Sequence, residues 1–270
     1  MKPKYTVEQH LNDYLSERRR LGFALRSEEA RLRNFACYVD HSEQPITVEL
    51  MAQWAKAGCA KADAAAWARR LKLLRPFVQY LQQFEPSTEV PEVASVFGPV
   101  PKWVTPHIFH ERDIVELLAA AGKLTPKLRA ATYETLFGLL ACTGVRISEA
   151  LHLLDRDVDL KQGLFTIHGA KFGKSRQVPI HPSTVAALQS YRRLRNRHIS
   201  PTLETPFFVS AKGKRLGEAL CLSTVDWIFA KLRTNLGWPN RGAHHAPRVH
   251  DLRHYAEFRT MPSSAACTLG

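Results

Sequence analysis

The 270-residue sequence has few cysteines, no long apolar run and no glycine-rich loop of the kind that cradles phosphates. Its five cysteines are scattered and form no C-x-x-C pair, which argues against a disulfide framework or a zinc site and is typical of reduced thiols. No apolar run approaches the roughly 18 residues of a membrane span, and the N-terminus MKPKYTVEQH has no signal-peptide core. We therefore expect a cytoplasmic protein with no membrane partner, and nothing suggests a nucleotide cofactor.

Positive charge is what the sequence has in excess. Lysine and arginine number 38 against 25 aspartates and glutamates, which gives a net charge of +13. The hydrophobic fraction of 45% and the charged fraction of 23% are those of an ordinary globular protein. Such an imbalance indicates a polyanionic partner, nucleic acid above all, because basic side chains release counterions from a phosphate backbone. The alternative is a solvated basic surface kept for solubility.

Composition divides the chain into four parts. Residues 1–84 predict a helical domain, in which Thr6 and Gln9 form a capping box and a stripe from Trp67 to Leu81 marks the fourth helix. Pro76 is expected to kink that helix or to mark its start. Residues 85–104 have the proline-rich composition of a linker. Residues 105–260 predict mixed α and β structure, and 261–270 form an unpatterned tail.

The second half alternates helical and strand patterns. Helices are predicted at 111–121, 127–141, 147–154, 183–197 and 222–236, and Gly144 suits a helix C-terminus that needs positive φ. The segment GLFTIHGAKFGKSRQVPI predicts a β-hairpin with a basic turn, and FFV at 207–209 predicts a short strand. The expected fold is mainly α with a small antiparallel β-hairpin or sheet.

Three basic segments stand where predicted elements end. Arg146 follows a helix terminus, Lys171 and Lys174 lie in the hairpin turn, and His250 and Arg253 share a face if VHDLRHY is helical. Two arginine forks can bind the non-bridging oxygens of a phosphodiester, while a lysine and a histidine exchange protons, all without metal. Taken singly, Arg146 could be a salt-bridge partner of Glu149, Lys171 a solvated turn residue and His250 a helix cap.

Metal chemistry has weaker support. Asp155, Asp157 and Asp159 alternate after a predicted helix, which could suggest a two-metal nuclease but is more typical of loop residues. His244 and His245 are adjacent and have no further ligands in a zinc pattern. We expect no metal.

The segments TGVRISEAL, GAKFGKSRQVPI and HDLRH, in that order, resemble the tyrosine recombinase (phage integrase) family over about residues 5–260. The resemblance implies a SAM-like helical core-binding domain at the N-terminus, followed by a catalytic domain. It also implies that Arg146, Lys171, His250 and Arg253 activate a DNA phosphate for attack by a tyrosine, with Glu149 in support. Lys174 and Arg176 are then candidate DNA contacts. Double-stranded DNA and other recombinase subunits are the implied partners, and no cofactor is used.

The sequence has no tyrosine at the position where the resemblance implies the nucleophile. The family places it on the order of 20–35 residues beyond the arginine matched to Arg253, but only 17 residues follow Arg253, and their one tyrosine, Tyr255, is too close. We therefore expect a C-terminally truncated family member with impaired strand cleavage, unless a partner supplies the tyrosine in trans. Whether this chain is itself an enzyme stays open.

Two other hypotheses remain. One is a non-catalytic DNA-binding protein, or a competitor of a full-length recombinase. The other is an interaction protein with a basic surface, for which DNA binding with a steep salt dependence is not expected.

Overall fold

The computed structural model describes residues 6–42, 44–58, 64–98, 104–169, 175–211 and 213–260, of which 257–260 are described as backbone only. The chain divides into two compact units, Met1–Trp103 and Val104–Gly270. Within the described part of the chain, none of the helices is both long and apolar enough to cross a membrane.

The first unit is helical. Its helices are α1 (Val7–Arg20), α2 (Arg26–Ser42), α3 (Val48–Ala57), α4 (Ala64–Leu81) and α5 (Val93–Phe97). Thr6 and Gln9 form the predicted capping box at the start of α1, and the Thr47 hydroxyl accepts a hydrogen bond from the Leu50 N–H at the start of α3. These side chains satisfy amide donors that the first helical turn leaves without partners.

Aromatic and aliphatic side chains fill the core of the first unit. Trp54 of α3 packs edge-on against Phe35 of α2, with 5.3 Å between ring centroids, and its indole N–H donates to Asn34 Oδ1 at 2.9 Å. The predicted stripe of α4 faces this core. Pro76 lies well inside α4 and does not mark its start. The fully buried Phe77 and Val78 beside it hold this part of the helix in the core.

The predicted linker at 85–104 contains a helix. Val93 and Phe97 of α5, with Val96 between them, pack against the first unit's core, and the Phe97 ring lies 5.9 Å from that of Trp67. The prolines of this segment obscured a short apolar pattern at i, i+3 and i+4, which is enough for one helical turn on an existing core. Residues 99–103 lie outside the described residues.

The second unit combines helices with a small sheet. Its elements are α6 (Glu111–Ala121), α7 (Lys127–Thr143), α8 (Ile147–Leu151), β1 (Val158–Asp159), β2 (Leu164–Ile167), β3 (Arg176–Pro179), α9 (Pro182–Asn196), α10 (Leu222–Leu236) and α11 (Asp251–Thr260). The strands form an antiparallel sheet in the order β1-β2-β3, with Phe165 opposite Val178. The expected mainly α fold with a small antiparallel sheet is confirmed.

Helix α7 is the centre of the second unit. Its buried side chains point in all directions, from Leu128 and Tyr133 to Phe137 and Leu140. Helices α6, α9 and α11 pack around it. A helix with buried side chains on most of its surface belongs largely in the interior, although Glu134 and Cys142 are exposed, so the chain that leaves the end of α7 starts from a fixed position.

Two predicted elements differ from those observed, and one observed strand was not predicted. Helix α8 ends at Leu151 instead of residue 154, and a short 3-10 turn follows at Asp155–Asp157. The predicted strand at 207–209 forms only isolated bridges, from Pro206 to Leu154 and from Val209 to Ala219. Phe207 and Phe208 are buried because their rings pack on that of Tyr191 in the core, and not because they lie in a sheet. The two-residue strand β1 was not predicted.

Candidate active site

Arg146 is presented by the turn between α7 and α8. Gly144 ends α7 in the left-handed conformation, at φ +64°, and its N–H donates to Leu140 O at 3.1 Å. A Cβ on Gly144 would lie 3.2 Å from the Cβ of Ala256 and 3.6 Å from the carbonyl oxygen of Arg253. Glycine is therefore required twice, for the backbone angle and for the close approach of α11.

Glu149 is shared by two arginines. Arg146 donates through its backbone N–H at 2.9 Å and through Nη1 at 3.0 Å. Arg176, the first residue of β3, binds the same carboxylate with both terminal nitrogens, at 3.1 Å and 2.7 Å. The Glu149 side chain is 10% exposed, whereas those of Arg146 and Arg176 are 44% and 40% exposed. The two guanidinium groups are thus held by a largely buried carboxylate and are themselves accessible to solvent.

The environment of Glu149 keeps it ionised. Burial is the largest influence and raises the pKa of this carboxyl, but the hydrogen bonds from Arg176 and Arg146 together outweigh it, so the pKa lies below its usual value. Charge-assisted hydrogen bonds of this kind are about twice as strong as neutral ones. The carboxylate therefore holds α8 to β3 across the neutral pH range.

Helix α11 brings a third arginine to the same place. Arg253 lines a cavity of about 440 Å³ together with Arg146 and Arg176, and the turn at Gly144 and Val178 of β3 complete much of the wall. The three guanidinium groups come from three separate segments. Among the residues that line this cavity in the described part of the chain, the charged ones are arginines, and the cavity is of a size that accepts an anion such as a phosphodiester.

His250 lies three residues before Arg253 in the sequence but does not line this cavity. Helix α11 begins at Asp251, so His250 is the residue immediately before it. The Arg253 N–H donates to the His250 carbonyl oxygen at 3.1 Å, and the His250 ring lies 5.8 Å from that of His254. The buried Asp251 carboxylate accepts hydrogen bonds from the backbone N–H of Arg248, at 2.9 Å, and from its side chain, and so fixes the helix start. Loss of hydration lowers the pKa of His250, and the nearby His254 lowers it further. A neutral imidazole near pH 7 can accept a proton.

The loop before His250 is anchored to the segment before α6. Arg241 donates its backbone N–H to Nδ1 of the fully buried His107, at 3.1 Å, and its side chain binds Asp113 at 2.6 Å. Burial lowers the pKa of His107, and the Arg241 charge lowers it further. A Cβ on Gly242 would lie 2.7 Å from His107 N, so this loop lies directly on its support.

Lys171 and Lys174 lie outside the described residues. The strands that lead into and out of their turn are described: β2 ends at Ile167 and β3 begins at Arg176.

Sequence reasoning placed Arg176 among general DNA contacts and missed its place beside Arg146. The side-chain alternation of a β-strand could have indicated this position. Residues two apart on a strand face the same side, and Arg176 and Val178 both line the cavity. A second cavity, of about 650 Å³, shares Arg146 with the first and is also lined by Glu149, His152 and His168.

The three alternating aspartates have structural partners. Asp155 binds Arg195 at 2.6 Å, Asp157 accepts the Leu154 N–H at 2.9 Å, and Asp159 accepts backbone N–H groups of the following turn. Among the residues described here, no three histidine, cysteine or acidic side chains cluster as a metal ion would need.

Comparison with known proteins assigns the family. The profile of the phage integrase family matches residues 108–264. Protein y4rB of Sinorhizobium fredii (strain NBRC 101917 / NGR234), described as an integrase/recombinase, is 36% identical over 262 residues, which are 95% of this chain and 82% of y4rB. The tyrosine recombinase XerC of Rhizobium meliloti (strain 1021) is 31% identical over 217 residues, 78% of this chain and 64% of XerC.

Solved structures agree on the fold. The crystal structure of a lambda integrase tetramer bound to a Holliday junction matches with a TM-score of 0.62 and 16% identity, over 100% of this chain and 80% of the lambda chain. The chain therefore belongs to the phage integrase, or tyrosine recombinase, family.

Proposed function

We propose that this chain binds double-stranded DNA and that the cavity between Arg146, Arg176 and Arg253 receives a backbone phosphate at a recombination site. The observation that carries the proposal is that Arg146, Arg176 and Arg253 line one cavity of about 440 Å³, with the ionised Glu149 bound to two of them. The net charge of +13 adds the long-range attraction that DNA binding needs. Two relatives point the same way by name: XerC is a tyrosine recombinase, and the lambda integrase tetramer holds a DNA junction.

The roles divide by chemistry. Arg146 and Arg253 bind the non-bridging oxygens and stabilise the charge that develops during attack on phosphorus. Lys171 gives a proton to the leaving oxygen, which departs as a hydroxyl, and His250 acts as acid or base. Lys174 adds a DNA contact from the same turn. This set supports site-specific breakage and rejoining of DNA strands through a phosphotyrosyl intermediate, without a metal ion.

The nucleophile is proposed to come from outside these 270 residues. Tyr255 is the one tyrosine after Arg253 in the sequence, and it lies in α11 with 7% of its surface exposed, packed in the second unit's core. We propose that residues 1–270 by themselves bind DNA without cutting it, and that cleavage needs a tyrosine that these residues do not provide, for example one from another recombinase subunit on the same DNA. A non-catalytic DNA-binding protein, or a competitor of a longer recombinase, is the alternative.

The first experiment measures binding to a mixed-sequence DNA duplex at several salt concentrations. Losing one phosphate contact should reduce the slope of log K against log salt by about 0.9 and weaken binding about 10- to 100-fold. Arg146→Ala and Arg253→Ala should both show this loss. Arg193→Ala is the matched control, because Arg193 is an exposed arginine of α9 that contacts Ser190. Equal effects in all three variants would overturn the site.

The second experiment tests cleavage with a nicked duplex that traps a covalent protein–DNA product. The chain alone should give no product on a denaturing gel. A covalent product that disappears in Tyr255→Phe would show that the nucleophile has been wrongly placed outside the chain.

A further inference from the structure

Arg146 and Arg176 use their guanidinium groups differently. Arg176 faces Glu149 with its whole terminal fork, one nitrogen to each carboxylate oxygen, at 3.1 Å and 2.7 Å. Arg146 gives Glu149 one side-chain donor, Nη1, at 3.0 Å. A guanidinium carries five N–H donors. Among the described residues, Glu149 alone accepts a hydrogen bond from the Arg146 side chain, so the edge formed by Nη2 and Nε is available to an anion, whereas an anion at the fork of Arg176 would have to displace a carboxylate.

The carboxylate of Glu149 is the common partner, and it is the most buried member of the group. Bidentate pairing with an arginine satisfies both of its oxygens in the preferred geometry. If Arg176 were absent, Glu149 would stay in place with one arginine nearby. Arg146 would then be drawn into the bidentate position, because it already lies 3.0 Å from Oε1.

We propose that Arg176 is a positioning residue: it saturates Glu149 so that Arg146 keeps its free edge turned to the DNA phosphate. This inference rests on the proposed function and refines it, since Arg176 acts through Glu149 and not on DNA. Arg176 also joins β3 to α8, so one ion pair fixes both the arginine and the strand that follows the lysine turn.

The test is suppression in a double-variant cycle, measured as affinity for the mixed-sequence duplex. Arg176→Ala should weaken binding about 10-fold or more, as Arg146→Ala does. In a Glu149→Gln background the same Arg176→Ala change should have no further effect, because no carboxylate remains to capture Arg146. In an Arg146→Ala background it should also have none. Arg176→Lys, which keeps the charge but loses the fork, should fall between wild type and Arg176→Ala.

The opposing result is equally definite. If Arg176 binds a phosphate directly, its loss should be additive with both Glu149→Gln and Arg146→Ala, and the salt slope should fall by about 0.9 in every background. If Arg176 had a merely structural role, its loss would weaken DNA binding in the Glu149→Gln background as well, but without the fall of about 0.9 in the salt slope. Either outcome overturns the inference.

If the proposed function itself is wrong, the result differs from the two outcomes described for Arg176. In that case Arg146→Ala and Arg253→Ala bind the duplex as Arg193→Ala does, whatever happens at Arg176.

Discussion

Replacing Gly144 with alanine should damage the fold and the site together. A non-glycine residue at φ +64° costs about 1–2 kcal/mol. The new Cβ would also lie 3.2 Å from the Cβ of Ala256, so α7 and α11 would have to separate by a few tenths of an ångström. Overpacking of this kind costs about 1–3 kcal/mol. The expected loss in the free energy of unfolding is therefore about 2–5 kcal/mol.

Gly237 provides a matched control within the same unit. It ends α10 in the same left-handed conformation, at φ +63°, but a Cβ there would meet nothing within 4 Å. Gly237→Ala should thus show the backbone cost alone, about 1–2 kcal/mol. Both changes reduce the entropy of the unfolded chain equally. The difference between the two variants measures the contact between α7 and α11.

Thermal unfolding and DNA binding should be measured on both variants. For a unit of this size each kcal/mol corresponds to about 2–4 °C, so Gly144→Ala should melt several degrees below Gly237→Ala. It should also bind the duplex about 10-fold more weakly, because Arg253 moves away from Arg146, whereas Gly237→Ala should bind as wild type does. Equal melting temperatures and equal affinities would refute the argument that this close approach builds the site.

Three further changes test the supports of the fold. The pKa of His107 is lowered in the folded state, so the unfolded chain binds the proton more readily, and the stability that His107 contributes above roughly pH 6.5 is lost as the pH falls. His107→Asn, which keeps an acceptor for the Arg241 N–H, should flatten the decline in melting temperature between roughly pH 7 and pH 5; an unchanged pH profile would contradict this. Arg195→Met should cost about 3 kcal/mol in urea unfolding, because it removes a fully buried partner of Asp155, and a loss within 0.5 kcal/mol would show that the pair adds nothing. Thr47→Ala should cost about 1 kcal/mol by removing a helix cap, with Thr47→Ser as the variant that retains it.

Local signals predicted most of the helices. The helices at 111–121 and 222–236 were predicted with the bounds that the structure shows, because their apolar stripes and ends coincide. The capping box at Thr6 and the left-handed Gly144 were also confirmed, since each depends on residues within one turn. In these places the local preference and the tertiary fold agree.

The failures share a cause, which is dependence on distant contacts. Phe207 and Phe208 have strand-like sequence, yet their position is decided by Tyr191 of α9. Short apolar runs cannot be assigned from periodicity alone. The turn of α5 forms because it can pack on a core built by residues far earlier in the chain.

The site was only partly accessible to sequence reasoning. Arg146, Glu149 and Arg253 could be named from their motifs, and the structure places Arg146 and Arg253 at one cavity. The sharing of Glu149 with Arg176 could not be read from a spacing of 27 residues, because it depends on how β3 lies against α8. Likewise, the sequence left open whether VHDLRHY is helical, and the structure begins α11 at Asp251, directly after His250.

Because α7 lies at the centre of the second unit, we expect the site to be disrupted only when the whole unit unfolds. Amides in the buried middle of this helix are expected to exchange with solvent mainly when the whole unit opens. Because Arg146 follows α7 after two residues, local fluctuation at the surface cannot displace it while that helix stays closed. The grip on DNA should therefore persist up to the global transition and disappear with it, instead of fading gradually as a loop-borne site would.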